Sequence, residues 1–336
     1  MIKKYLSILL SYSLIFFISC SENDNKSEEI IEIVEPFEFS NATNLDQENQ
    51  IEIVTWNIKR FPQDKKYSVP YVQSLLELWN ADIYLFQEIL DIYSLMKMVD
   101  QMDAYSYILS DEAEFALVYK SNNVTFNSKN ELWANTSSRN DGDSDYNNNA
   151  QYQFAGRPPM ENYLTWSSNS KSIDLYIINI HYKCCGDGLY DINDPGDETT
   201  RRHHASLLLN DYIVNNRSGD NVIILGDFNN IGEQNYTNPA ISPFIDTLVY
   251  DSAKHFYMMD HDILAGPNNK YSWQGWTSSY SPAHFDHIII TQPLFKYIKN
   301  SIVGVIDTPM ETGFSSTAVS NTISDHQPVF ISFTID

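Results

Sequence analysis

The chain reads as an α/β or α+β sandwich, and three observations predict that class. Short apolar runs bounded by turn residues far outnumber stretches with helical spacing. Most of these runs lack polar alternation, the pattern of strands covered on both faces, so the sheets need further layers over them. Polar side chains gather where the runs end, which is where such a scaffold presents chemistry.

From Ile51 the elements follow in order. "IEIVTW" alternates into a strand, and "VPYVQSLLELWN" has helical spacing with Pro70 in its first turn, where a missing N–H is tolerated. "DIYLFQE" is a short buried strand. Further strands are expected at Tyr105–Leu109, Ala116–Tyr119, Ile173–Ile180, Asn221–Leu225, Phe285–Ile290 and Val329–Phe333. A helix is expected from about Glu198 to Asn216, between the Ile173 and Asn221 strands. The polar stretch 135–151 reads as an exposed excursion, and "YSWQGW" at 271–276 reads as packing rather than a substrate platform. Neither an internal repeat nor a second domain is visible.

Ahead of this body the sequence changes character. "MIKKYLSILLSYSLIFFISC" has Lys3 and Lys4, an apolar stretch from Tyr5 to Ile18, then Ser19-Cys20. The stretch is short for a membrane span and has the layout of a signal peptide over residues 1–19. A small residue before cysteine, then a polar run, resembles a bacterial lipoprotein signal. Cleavage leaves Cys20 as the lipidated first residue, with a flexible acidic linker over 20–50. The expected location is outside the cytoplasm, anchored to a bacterial membrane at the periplasmic face or cell surface.

Composition narrows the function classes. Apolar residues make up 43% of the 336, enough for a sizeable core, and the net charge is −23. So acidic a chain offers few cations to displace counterions from a polyanion, so bulk electrostatics do not hold nucleic acid here. If the substrate carries phosphate, a bound cation must supply much of the local positive charge.

"INIHYKCCGDG" (178–188) holds a histidine, a lysine and two adjacent cysteines after an apolar run. Once Cys20 is lipidated, Cys184 and Cys185 are the only thiols left, and export biases such a pair towards a disulfide. Two cysteines are too few for a structural zinc site, and adjacent ones lack the spacer of redox motifs. A vicinal disulfide or a reduced pair shaping the loop are both open readings.

Five polar clusters close predicted strands: Asn57, Glu88, His181, Asp227 with Asn229, and Asp325-His326. Taken singly, Asn57 fits a cap, Asp227-Phe228-Asn229 a side-chain-bonded turn, and Ser324-Asp325-His326 an ordinary loop. Together they supply carboxylates for a divalent metal, amides to orient phosphate, and two histidines.

"IEIVTWNIKRF", "LFQEI", "INIHYK", "ILGDFNN", "FDHIII" and "SDHQPV", in this order, resemble the endonuclease/exonuclease/phosphatase superfamily, and the likeness spans residues 51–336. The nearest branch is that of the pancreatic-type deoxyribonucleases. The resemblance implies a four-layer αββα sandwich and metal-dependent phosphoester hydrolysis. It implies Glu88 as principal ligand of Mg²⁺, with Mn²⁺ or Ca²⁺ as alternatives, and Asn57 and Asp325 completing the metal and phosphate surroundings. Asp227 and Asn229 would orient water and the scissile phosphate. His326, held in one tautomer by Asp286, would be general base or phosphate donor. His181 would help protonate the leaving oxygen, with Glu114 as its carboxylate partner. Arg157, in "FAGRPPM", matches an arginine of the same relatives that grips a phosphate oxygen; the alternative is a plain loop arginine. Of Arg201 and Arg202, at least one reads as a solvated helix-face charge, and His203 and His204 read as structural.

The expected function is hydrolysis of a phosphodiester by attack of water, most nearly nuclease-like, with nucleic acid a candidate substrate. The alternatives are a phospholipid, sphingomyelin or small-molecule phosphoesterase, or a catalytically inactive surface-binding lipoprotein. No protein partner is evident in the sequence.

Overall fold

The computed structural model describes residues 39, 43–139, 146–245, 255–265, 271–275 and 281–335. Its elements begin with β1 (Gln50–Phe61), α1 (Ser68–Trp79), β2 (Ile83–Ile89), α2 (Ile92–Val99), β3 (Tyr105–Leu109), β4 (Ala116–Lys120), β5 (Val124–Glu131) and α3 (Ala150–Gln153). There follow β6 (Met160–Ser168), β7 (Lys171–His181), α4 (Glu198–Asn216), β8 (Val222–Asp227), β9 (Phe256–Met258) and α5 (His261–Ala265). The chain continues through β10 (Asp286–Thr291), β11 (Ser301–Val305), α6 (Thr308–Thr312), α7 (Ser316–Thr322) and β12 (Val329–Thr334). Every strand expected from the sequence is present, as are both long helices.

Two six-stranded mixed sheets form, ordered β11-β12-β1-β2-β4-β3 and β5-β6-β7-β8-β10-β9. Three apolar clusters separate four layers. Ile51, Ile53, Ile83, Leu85, Ile177, Leu225, Ile288 and Ile331 meet between the sheets. Val54, Trp56, Tyr84, Leu75, Leu76 and Leu95 fill the gap between the first sheet and α1 and α2. Ile178, Ile180, Ile224, Ile289, Leu208 and Leu209 do the same between the second sheet and α4. The alternation along each strand explains the layering: successive side chains point to opposite faces, and both faces are covered. Each fully buried side chain of this size stabilises the fold by about 1.5–3 kcal/mol relative to exposure.

The helices start and stop on local signals. Asp91 and Asp197 cap α2 and α4, their carboxylates accepting from the N–H groups of Tyr93 and Ser94, and of Thr200. Asn80 ends α1 in the left-handed region at φ 52°.

The acidic linker expected over 20–50 is corrected at its far end. Phe39 is buried against the Tyr71 and Phe314 rings, and Thr43 donates from its N–H and hydroxyl to Glu311 at 2.6 and 2.7 Å. The Leu45 N–H bonds the Trp79 carbonyl at 2.8 Å. These side chains recover buried area that a free tether would leave in water, so the body begins before Ile51. The signal peptide, Cys20 and the rest of the linker lie outside the described residues. So do residues 140–145 of the polar excursion, whose described flanks fold back together: the Gln151 N–H bonds Thr136 Oγ1 at 2.8 Å. Among the described residues no helix is long and apolar enough to cross a membrane.

Candidate active site

The site lies where parallel pairs β1–β2 and β7–β8 end together at one edge of the sandwich. Asn57 extends the between-sheet face of Ile51 and Ile53, His181 that of Ile177, and Asp227 that of Leu225. Asp286 belongs to the same face as Ile288. Across the second sheet His181, Asp227 and Asp286 stand in one row of the register. Gly226 lets β8 approach β7, since a Cβ there would sit 2.0 Å from the Ile180 carbonyl oxygen. Glu88 belongs by alternation to the opposite face of β2, but its φ of 65° turns it inward. The β1–β2 register also shifts between Asn57 and Phe61, freeing Lys59 and Arg60 from the ladder.

Asp227 is the hub. Its Oδ2 accepts from Asn57 Nδ2 at 3.1 Å and lies 3.5 Å from His181 Nε2 and 3.8 Å from His326 Nε2. Its Oδ1 accepts from the Asn229 N–H at 2.8 Å, with Asn229 at φ 46°. Asn57 Nδ2 also donates to Glu88 Oε1 at 3.0 Å, so one amide joins the two sheets. Below it Gln87 donates to Asn179 Oδ1 at 2.7 Å, a second buried bridge. His326 Nδ1 pairs with Asp286 Oδ2 at 2.8 Å, the expected carboxylate–histidine pair.

Burial sets the charge states. Burial first of all, with Arg157 and His326 adding to it, holds His181 well below the ordinary histidine range, so it is neutral near pH 7. Burial also pushes the Asp227 carboxyl up, against the opposing pull of the His326 charge. Burial works against charge on His326 too, but Asp286, Asp227 and Asp325 outweigh it and push its pKa up to about 10. Two histidines a few ångströms from the same carboxylate therefore hold opposite protonation states.

Arg157 is half-buried and donates from Nη2 to the Tyr182 carbonyl at 2.9 Å, while its buried Nε has no hydrogen-bond partner. Burial lowers its pKa, opposed by Asp227 and Glu88. A guanidinium with an uncommitted N–H beside two carboxylates is no plain loop arginine; it fits an anion in the site.

Two readings of the sequence are corrected, and of the two open readings of the cysteines the structure takes the reduced pair. Glu114 does not pair with His181: it is exposed, and His181 Nδ1 has no hydrogen-bond partner. Neither Arg201 nor Arg202 is solvated. Arg202 is wholly buried and donates to the carbonyls of Lys183 and Cys185 at 2.8 and 2.9 Å, while Arg201 lies 3.8 Å over the Tyr152 ring. Cys184 and Cys185 are free thiols, Cys185 Sγ donating to Cys184 Sγ at 2.8 Å. Burial and its neighbour push the Cys185 thiol up to about 11, which makes it a poor nucleophile. Lys183 bonds the Cys184 carbonyl at 3.0 Å. His203 bonds the Pro239 carbonyl and His204 stacks on Tyr146, both structural.

The donor set fits a divalent cation that prefers oxygen. Glu88 keeps 25% side-chain exposure, and its Oε2 is oriented by the Arg60 N–H at 3.0 Å. The expected trio is less simple. Asn57 turns its nitrogen to the carboxylates and its Oδ1 to the Lys59 N–H, and Asp325 is paired with Lys59 Nζ at 3.0 Å. Asp227, Asp286 and His326 bring donor atoms within 4.8 Å of one another, and Asp286 Oδ1 is buried without a hydrogen-bond partner. Lys59 escaped the sequence reading, although it sits inside "WNIKRF". Ser324 and Ser272 escaped it too; they bond the Asn57 carbonyl and the Asp286 N–H at 2.6 and 3.0 Å. Trp273 packs on Phe285 and bridges to His326, as core packing requires; residues 276–280 lie outside the described residues.

Residues 54–326 match the profile of the Endonuclease/Exonuclease/phosphatase family. A search of curated proteins finds no match. Among solved structures, the chain is similar to D. rerio TDP2 complexed with single strand DNA product, with 14% identity and a TM-score of 0.57 over 85% of this chain and 99% of that one. It is similar to an endonuclease/exonuclease/phosphatase from Bacteroides vulgatus, with 13% identity and a TM-score of 0.54 over 85% and 99%. It is also similar to the human Nocturnin catalytic domain with bound sulfate anion, with 12% identity and a TM-score of 0.53 over 86% and 94%. At such identities the likeness speaks for the fold.

Proposed function

We propose, from the premise that the chain belongs to the endonuclease/exonuclease/phosphatase family, that it hydrolyses phosphodiester bonds with the help of Mg²⁺, most nearly as a nuclease. The observation that carries this reading is the convergence of Asn57, His181 and His326 on Asp227 Oδ2 beside the uncommitted Nε of Arg157. A buried anion hub faced by three nitrogen groups and a guanidinium suits a tetrahedral anion attacked by water.

The residues divide the work. Glu88 would hold the cation, with Asp325 and Asn57 beside it, and Mn²⁺ or Ca²⁺ as substitutes. The cation supplies neutralisation of phosphate charge, which this acidic chain cannot provide by itself. Asp227, raised by burial, receives a proton from the attacking water, and Asn229 orients the phosphate. His326, charged and locked by Asp286, donates to a phosphate oxygen rather than acting as a base. His181, being neutral, donates a hydrogen bond from its N–H towards the leaving oxygen. No side chain needs to become covalently attached, so configuration at phosphorus inverts.

Nucleic acid is the favoured substrate because a fold neighbour is seen with single strand DNA product. Purified residues 21–336 with Mg²⁺ should cleave plasmid DNA or RNA, and both excess EDTA and Glu88→Ala should abolish turnover. Activity persisting in EDTA refutes the metal role, and turnover of sphingomyelin alone moves the substrate to lipid. No turnover of any diester leaves a binding protein. Anchoring through Cys20 belongs to the same proposal; it rests on the N-terminal sequence, and Cys20→Ser should abolish palmitate labelling of the expressed chain.

A further inference from the structure

Behind the catalytic loop lies a second cluster that the reaction does not use. Asp260, in the turn before α5, meets His284 and His287 at the entry to β10, and all three are buried. His284 Nε2 lies 2.7 Å and His287 Nδ1 2.6 Å from the same atom, Asp260 Oδ2. The remaining atoms are oriented from outside the cluster. Asp260 Oδ1 accepts the Ile288 N–H at 2.9 Å, and His287 Nε2 faces Asn230 Oδ1 at 3.0 Å.

That arrangement poses a problem of lone pairs. As placed, Asn230 Oδ1 is an acceptor, so His287 Nε2 carries a hydrogen, and a neutral ring would leave Nδ1 with its lone pair. This lone pair points at a carboxylate oxygen, which a second ring nitrogen also faces. A proton, a turned Asn230 amide (its Nδ2 has no hydrogen-bond partner as placed) or a metal ion each relieves such a contact in a buried place. A histidine whose far nitrogen donates to an amide oxygen, and a carboxylate whose far oxygen is held by a backbone N–H, are the outer contacts that orient metal ligands.

We propose that Asp260, His284 and His287 bind a divalent transition metal, with Zn²⁺ the best fit, at a structural site separate from the catalytic one. Two imidazoles and one carboxylate are donors that zinc accepts, leaving a fourth position for water. Uptake moves the donors apart, from 2.6–2.7 Å to roughly 3.3 Å, the spacing of a tetrahedron with bonds of about 2.0–2.1 Å. The site would pin the catalytic loop from behind, since Asn230 follows Asn229 and His287 follows Asp286 in the chain.

The test uses the purified chain dialysed against Zn²⁺ in excess Mg²⁺, which keeps the catalytic oxygens occupied. One equivalent of zinc should remain, be kept by Glu88→Ala and be lost by His284→Ala. Because His284→Ala can fail to fold, zinc-edge anomalous diffraction from wild-type crystals decides independently. A peak bounded by His284 Nε2, His287 Nδ1 and Asp260 Oδ2 supports the site. No retained zinc means that a proton or the turned Asn230 amide satisfies the cluster and overturns the proposal. A peak only at Cys184-Cys185 or at Asp227, Asp286 and His326 overturns it as well.

Discussion

Strand β10 carries two carboxylate–histidine clusters on its opposite faces. Asp286 looks between the sheets and pairs with His326, while His287 looks towards α4 and its neighbours and pairs with Asp260. Both clusters are buried, yet their carboxylates behave differently. Burial works against charge on Asp260, but His287 and His284 outweigh it and hold the carboxyl well below its usual range. In the other cluster Asp227 is pushed up, and Asp286 Oδ1, His181 Nδ1 and Arg157 Nε are left without hydrogen-bond partners. The Asp260 cluster also leaves His284 Nδ1 and Asn230 Nδ2 without partners, but its carboxylate is engaged on both oxygens, as suits a structural tie or a structural ion rather than a substrate.

Breaking each cluster should therefore show in different measurements. The largest effect is expected for His326→Gln, which keeps a donor for Asp286 but removes the charged ring. Its kcat/KM, measured per folded molecule, should fall by roughly 10²–10⁴. A Tm collapse with activity intact would erase the distinction. Asp260→Ala should cost about 3–5 kcal/mol in urea unfolding, because it strands two buried rings. Its turnover per folded molecule should fall far less than that of His326→Gln. Arg157→Lys keeps charge and loses the planar fork, so KM should rise about tenfold with kcat nearly held.

The smallest effect is in pH. The folded pKa of His326, about 10, lies above the ordinary 6.5, so its contribution to stability is complete below pH 6.5 and lost as pH rises through 10. The stability difference between wild type and His326→Gln should shrink across that window, and a difference flat with pH would show that the ring is not charged.

Much of the site was readable because it stands at strand ends. Asn57, Glu88, His181 and Asp227 follow apolar runs whose period is plain, while Asp286 came from the resemblance. Glu114 misled, since its place beside a strand says nothing about where its carboxyl points. Strands β5 and β6 escaped notice because "VTFNSKNE" is an edge strand with exposed polar positions and β6 buries Glu161 and Asn162. Burying Glu161 depends on Arg217, at 2.6 Å but 56 residues later in the chain. The burial of both Arg201 and Arg202 escaped for a similar reason: their partners are backbone carbonyls, which no composition reveals.

By itself the sequence determined eight of the twelve described strands, their two covered faces and the class of chemistry at their ends, because period and residue type are local properties. Period and residue type left open which carboxylate meets which histidine: the resemblance implied Asp286 with His326, while the Asp260 cluster and the separation of Glu114 from His181 were decided by the tertiary structure. Asn57 reaches Asp227 across 170 residues, and His326 reaches Asp286 across 40. Such pairings depend on strand register and on the stacking of two sheets, and these are properties of the packed core rather than of any segment within it.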